Sequence, residues 1–175
     1  LEVWERVKDV DPSRRALALA EGVAGADVTD IARLPIGRRD ALLLDFRSAR
    51  SGPDLDAVVE CPSCAEVINF TLDARALTSV GAVPVEPVSV EGYLVEWRPL
   101  DSGDLLAAAG CTDPWEAEQL LVSRSVTNAG GPDGPCSPSD LPAAVRDALS
   151  EALAAADPLT EVLVHLGCPA CGETF

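Results

Sequence analysis

The sequence predicts an α+β fold: capped helical segments alternate with short β-branched runs, and two Cys-Pro-x-Cys pairs with 103 residues between them share the same local surroundings. The apolar fraction of 47% over 175 residues excludes a disordered acidic tail, and no apolar run approaches the roughly 18 residues of a membrane span. A domain of about 150 residues hides roughly two-thirds of the surface its unfolded chain would expose. Aromatic residues make up only 4%, so alanine, valine and leucine must build that core.

The elements follow in order. Asp11 is a helix N-cap with Pro12 at the first helical position, where its missing N–H costs nothing, and Gly22 and Gly25 are expected to end that helix. A second helix is expected from about Gly37 to Arg47, with Leu42, Leu43 and Phe46 on its apolar side and Ser51-Gly52-Pro53 as its stop. Residues 55–60 and 67–72 are β-branched and partly alternating, and flank the first cysteine pair as a hairpin. A second β stretch covers 83–90 and 93–98 with a turn at Glu91-Gly92. Helices are then expected over 102–109 and over 114–126, the latter capped by Asp113 with Trp115, Leu120 and Leu121 buried. The Gly/Pro/Ser-rich stretch 128–139 reads as a flexible surface loop. The clearest helix runs from about 141 to 156, capped by Ser139 or Asp140, with Val145, Leu149 and Leu153 spaced by four. After Asp157-Pro158, residues 161–166 read as a strand entering the second cysteine pair. This divides the chain into a helical N-terminal part (1–54), a discontinuous cysteine unit (55–72 and 159–175) and a mixed α/β insertion (73–158).

Charge narrows the partners. The formal net charge is −16, and residues 61–175 carry 4 basic against 17 acidic side chains. Nucleic-acid affinity comes largely from Lys and Arg displacing counterions, so DNA and RNA are poor partners, and acidic membranes likewise. The basic side chains Arg33, Arg38, Arg39, Arg47 and Arg50 cluster in the first third. They read either as a solvated helix face or as a docking surface for an acidic protein. No methionine occurs and the sequence opens at Leu1, so a longer natural chain is expected, as it is from the stop at Phe175 four residues after a cysteine pair.

The chemistry lies in the cysteines. Cys61-Pro62-Ser63-Cys64 is followed by Ala-Glu and, downstream, Phe70; Cys168-Pro169-Ala170-Cys171 is followed by Gly-Glu and Phe175. Each half reads as one zinc knuckle, a tight turn whose N–H groups face thiolate sulfurs, and two knuckles together supply four ligands for tetrahedral Zn²⁺. The expected fold class is thus a discontinuous four-cysteine zinc ribbon with Cys61, Cys64, Cys168 and Cys171 as metal ligands. A disulfide or redox pair, or no metal at all, are the alternatives; a thioredoxin-like pair would open a helix, whereas strand-like sequence follows Cys64. Cys111 reads as a packed or half-exposed thiol and Cys136 as a free one in the loop. His165, the single histidine, reads as a strand residue, with a place beside the metal as the alternative. Acid pairs such as Asp101/Asp104 and Glu116/Glu118 read as caps and solvated faces, and no phosphate-binding glycine motif is present.

Trp4-Glu5-Arg6, the segment Leu34-Pro35-Ile36-Gly37-Arg38-Arg39-Asp40-Ala41-Leu42-Leu43-Leu44, the strand and knuckle from Leu55 to Cys64, Trp97-Arg98-Pro99-Leu100-Asp101-Ser102-Gly103-Asp104-Leu105, and the close from Asp157 to Cys171 follow one another in the chain. In these features the sequence resembles the baseplate hub and hub-assembly proteins of contractile-tailed phages and of phage-like extracellular contractile injection systems. The stretch 128–139 departs from the pattern as an insertion, and such relatives continue past the second knuckle. The resemblance implies a non-enzymatic structural or assembly protein that contacts other baseplate or tail proteins, with assembly in the cytoplasm and a place in the released or intracellular particle. The competing readings are a zinc-ribbon module of a transcription or RNA-processing factor and a thiol redox protein.

Overall fold

The computed structural model describes residues 5, 7–24, 30–79 and 84–175. Within them lie six α-helices: α1 (Pro12–Val23), α2 (Ile36–Ser51), α3 (Ala74–Thr78), α4 (Ser102–Ala108), α5 (Pro114–Ser125) and α6 (Ala143–Ala156). Six strands form two small antiparallel sheets: β1 (Asp54–Glu60) with β2 (Val67–Asp73), and β3 (Val88–Val90), β4 (Tyr93–Trp97), β5 (Val126–Gly131) and β6 (Gly134–Pro135) as a four-stranded meander. The fold is mixed α+β, as the sequence predicts. Trp4 and Arg6 of the resemblance, the helix end at Gly25 and the strand start at Val83 lie outside the described residues.

Local signals place most elements. The Asp11 carboxylate accepts from the N–H groups of Ser13 and Arg14 and opens α1, and Asp113 does the same for α5 through Trp115. Between β3 and β4, Glu91 and Gly92 both hold positive φ, the backbone of a tight two-residue hairpin turn. Val95, Trp97, Val122, Ala129, Leu141, Val145 and Leu149 form the buried core, with α6 packed on the meander. The indole N–H of Trp97 donates to the Glu86 carbonyl at 2.9 Å, so its one polar atom is satisfied as the ring is buried.

Several expectations are corrected, and residues 161–166, read as a strand, form none. The stretch 128–139 is not a loose excursion: β5 and β6 run through it, Gly131-Pro132-Asp133-Gly134 makes their turn, and Ala129 is buried in the core. Its glycines and prolines punctuate a hairpin rather than dissolve structure, since Pro-Asp-Gly is itself turn chemistry. Trp115 is 63% exposed in the first turn of α5, and Val122 fills the core instead. The buried side of α2 carries Ile36, Gly37, Arg39 and Ala41, while Phe46 faces solvent. Helix α6 has no side-chain cap; Pro142 stands at its N-cap, and Ser139 and Asp140 belong to a preceding 3₁₀ turn.

One long-range bond anchors α2. Pro35, at the N-cap of α2, has no side chain to offer, and the Asp157 carboxylate accepts from the Gly37 N–H at 2.8 Å across 120 residues of sequence. It thereby does the work of a cap. A Cβ at Gly37 would collide with Asp157 Oδ1 and press to 3.0 Å of Leu159 Cβ, so only glycine admits this approach. Gly37→Ala is expected to lower stability by about 2–3 kcal/mol through overpacking and loss of the bond. Urea denaturation checks this, and Asp157→Ala in the same chain should cost less than the sum of the two single changes, because both break one contact.

Candidate metal centre

The turn between β1 and β2 is the first knuckle. Full pairing from Asp54↔Asp73 to Glu60↔Val67 brings the strands to Cys61, whose N–H donates to the Glu66 carbonyl at 2.9 Å while Ala65 N–H donates to the Cys61 carbonyl at 2.9 Å. The second knuckle repeats this pattern. Cys168 N–H donates to Glu173 O at 2.7 Å and Gly172 N–H to Cys168 O at 2.9 Å, closed by two backbone bonds between Leu166 and Phe175. Even the strained position is shared: Ala65 has φ 59° and Gly172 φ 77°, the left-handed conformation that glycine takes freely and alanine at a cost.

Folding brings the two turns face to face. The Sγ atoms of Cys61, Cys64, Cys168 and Cys171 all lie within 4.8 Å of one another. Cys61 Sγ is 3.7 Å from Cys171 Sγ, and Cys64 Sγ is 3.6 Å from Cys168 Sγ. Sulfurs about 2.3 Å from a central tetrahedral ion stand about 3.8 Å apart, so these spacings suit a metal and are far too long for S–S bonds. Cys61 and Cys168 are buried and Cys64 and Cys171 exposed, so each knuckle contributes an inner and an outer thiol. The cluster can hold a metal ion.

The thiols perturb one another. The N–H of Cys171, then that of Ala170, stabilise the Cys168 thiolate against burial and bring its pKa down to about 7. At Cys64 the Glu66 N–H favours the thiolate, but the sulfurs of Cys171, Cys168 and Cys61 and desolvation together outweigh it and push the thiol up to about 12. Cys171 is also raised: hydrogen bonding to the Glu173 N–H and to Cys64 is overcome by Cys168, burial and Cys61. Four sulfurs this close do not ionise together unless a cation sits among them.

The other candidate residues separate. Arg39 is 4% exposed, with its guanidinium donating to Ser102 Oγ at 3.0 Å and Asp40 at 2.7 Å, so it is withdrawn from any docking surface. Arg47 donates to the Gly52 carbonyl, and Arg50 lies over the Phe46 ring. Arg33 pairs with Asp30, and Arg38 is exposed. His165 is exposed, outside the thiol cluster and in no strand. Cys136 is half-buried against the core, with its N–H on Ala129 O, and Cys111 is half-buried.

Sequence reasoning also missed the burial of Asp104. Asp101 is a cap as expected, but Asp104 is 0% exposed rather than solvated. Its two oxygens accept from Arg98 at 2.8 and 3.0 Å, Arg124 at 2.7 Å and the Asp101 N–H at 2.9 Å. The Asp-x-x-Asp spacing of a capping box was the available signal. Arg33, Arg98 and Arg124 line a cleft of about 600 Å³ with Asp30 and Asp101, and with Asp104 beneath them the charges balance, leaving no net attraction for an anion.

Among the described residues, no helix is long and apolar enough to cross a membrane. Compared with known proteins, the chain matches no family model, no curated protein and no solved structure.

Proposed function

We propose that the four thiolates hold a structural Zn²⁺ in a discontinuous zinc ribbon, and that the protein is a non-enzymatic structural or assembly component of a contractile phage-tail-like baseplate. The convergence of the four sulfurs within 4.8 Å carries the metal reading. Tetrahedral all-thiolate sites suit zinc or iron, zinc being the usual structural ion, and a site with four protein ligands leaves no open position for catalysis. The baseplate setting rests on the sequence resemblance. The zinc would supply a rigid platform for contacts with other tail proteins, while Arg33, Arg38 and Arg50 remain the accessible members of the arginine cluster.

Elemental analysis of natively purified protein should find one zinc per chain, and co-purification with tail proteins encoded beside it tests the setting. Metal affinity should also depend steeply on pH. At pH 7 the raised thiols of Cys64 and Cys171 are protonated, so binding must expel at least two protons. The apparent association constant should therefore rise at least about 100-fold per pH unit between pH 6 and 7, and acid should strip the metal. Competition against a chromophoric chelator measures this; a flat profile would overturn the tetrathiolate site. The Cys168 thiol near 7 is the one observation favouring thiol redox chemistry. A thiol titration that is the same before and after chelation would select that reading instead.

A further inference from the structure

A cavity of about 240 Å³ opens where the start of α2, the turn before α4 and the end of α6 meet. Ile36, Leu100, Leu105 and Leu153 make its walls apolar, and Ala154 and Thr160, the exposed members of the lining, mark the side open to solvent. Its polar side chains can only accept hydrogen bonds. Asp157, also on the wall, is 8% exposed; the Gly37 N–H takes Oδ2 at 2.8 Å, while among the described residues Oδ1 accepts no hydrogen bond and the carboxylate joins no ion pair. Thr160 spends its hydroxyl proton on the Asp157 carbonyl at 2.7 Å, which leaves only lone pairs on that oxygen. No Lys, Arg or His lines the cavity. The N-terminus of α2 supplies one N–H and a partial positive charge of about half a unit. A buried carboxylate is thus left short of both a donor and a counter-charge.

We propose that this cavity binds a small alkylammonium ion, with its apolar body against Ile36, Leu105 and Leu153 and its ammonium head on Asp157 and Thr160. Size, polarity and sign each narrow the class. A cavity of about 150 Å³ accepts a benzene-sized molecule, so this one admits an apolar body of about six carbons together with its head group. A carboxylate ligand would meet a like charge and no donor. An alcohol brings one donor and no charge, whereas an ammonium brings three donors and the missing charge, and charge-assisted bonds are the stronger ones. The site shares no residue with the thiol cluster, and it stands or falls apart from both the zinc and the baseplate readings.

The test is an NMR titration of the isotope-labelled full chain with cyclohexylammonium, cyclohexanol and cyclohexanecarboxylate, three probes of one shape and different charge. Salt of about 0.15 M screens the attraction of a chain of net charge −16 for any cation. Cyclohexylammonium should shift the Gly37 and Thr160 amides to saturation. Cyclohexanol should need a concentration at least about tenfold higher, and the carboxylate should leave both amides unmoved. Asp157→Asn should remove the preference for the cation over the alcohol. Ala154→Trp, a change on the solvent side of the cavity, should abolish the shifts while the urea midpoint stays as in the wild type. Shifts that never saturate, equal response to cyclohexylammonium and cyclohexanol, or undiminished binding by a folded Ala154→Trp protein would each overturn the proposal. The wild-type comparison of the three probes decides even where a variant fails to fold.

Discussion

Zinc-loaded protein treated with a strong chelator is expected to lose the fold of residues 54–73 and 161–175 while the core around Val95, Val145 and Leu149 survives. The reason lies in what holds each part. An isolated two-stranded ribbon is marginal in water, and β1 and β2 have no further strand. Among the described residues, the second knuckle has only its own few backbone bonds. Structural zinc supplies on the order of 10 kcal/mol of apparent binding free energy, as much as the whole stability of a domain. Holding Cys64 against Cys168 also closes a loop of more than one hundred residues, a constraint of about 4–5 kcal/mol on the unfolded chain. The meander and α6, by contrast, share buried apolar contacts that owe nothing to the thiols. Amide exchange should therefore rise by several orders of magnitude in the two knuckle regions and little in α6. Cys168→Ser should reproduce the chelated pattern, because a serine hydroxyl keeps its proton and does not replace a thiolate ligand. A chelated protein with unchanged exchange in residues 54–73 would overturn the view that metal, rather than packing, closes the unit.

The parts legible in the sequence were those whose cause is local. Asp11-Pro12 and Asp113-Pro114 announce helix starts because the carboxylate, the proline and the first N–H groups lie within one turn. The cysteine pairs are legible because their surroundings are duplicated, and the duplication extends to the positive φ at Ala65 and Gly172. What stayed hidden depends on residues distant in sequence. No pattern near Gly37 reveals Asp157, 120 residues away, and no periodicity makes Arg39 an inward-facing side chain; Ser102, waiting at 3.0 Å, does that. The strand-like stretch at 161–165 shows the converse limit: residue preferences favour extended backbone, but a strand also needs a neighbour, and among the described residues none pairs with it. The hairpin in 128–139 was lost for a third reason, since glycine and proline mark tight turns and loose loops with the same letters.

Asp104→Asn is expected to destabilise the protein by about 3 kcal/mol, nearly as much as Asp104→Ala, although it preserves the shape of the side chain. Both carboxylate oxygens are occupied by donors: Oδ1 by Arg98 and Arg124, Oδ2 by Arg98 and the Asp101 N–H. An asparagine has one NH₂ to place, and in either orientation it opposes two N–H donors. It also leaves two guanidiniums side by side without their shared counter-charge. Breaking a buried pair costs roughly 3–5 kcal/mol, and the lower end applies because both arginines keep access to water. The same carboxyl sets an acid limit. Burial alone would raise it, but the hydrogen bonds from Arg98, the Asp101 N–H and Arg124 prevail and hold it below its ordinary value of 3.8. A depressed folded-state value means that the contribution is complete above about pH 4 and is lost as the pH falls through the folded value. Wild-type stability should therefore drop with acid below pH 4 more steeply than that of Asp104→Asn, which has no such carboxyl to protonate. Urea midpoints of the two proteins between pH 5 and pH 2.5, both followed by the fluorescence of the buried Trp97, should converge as the pH falls. Parallel curves across that range would show that the four bonds to Asp104 carry no net charge energy and that the side chain serves the fold by shape alone.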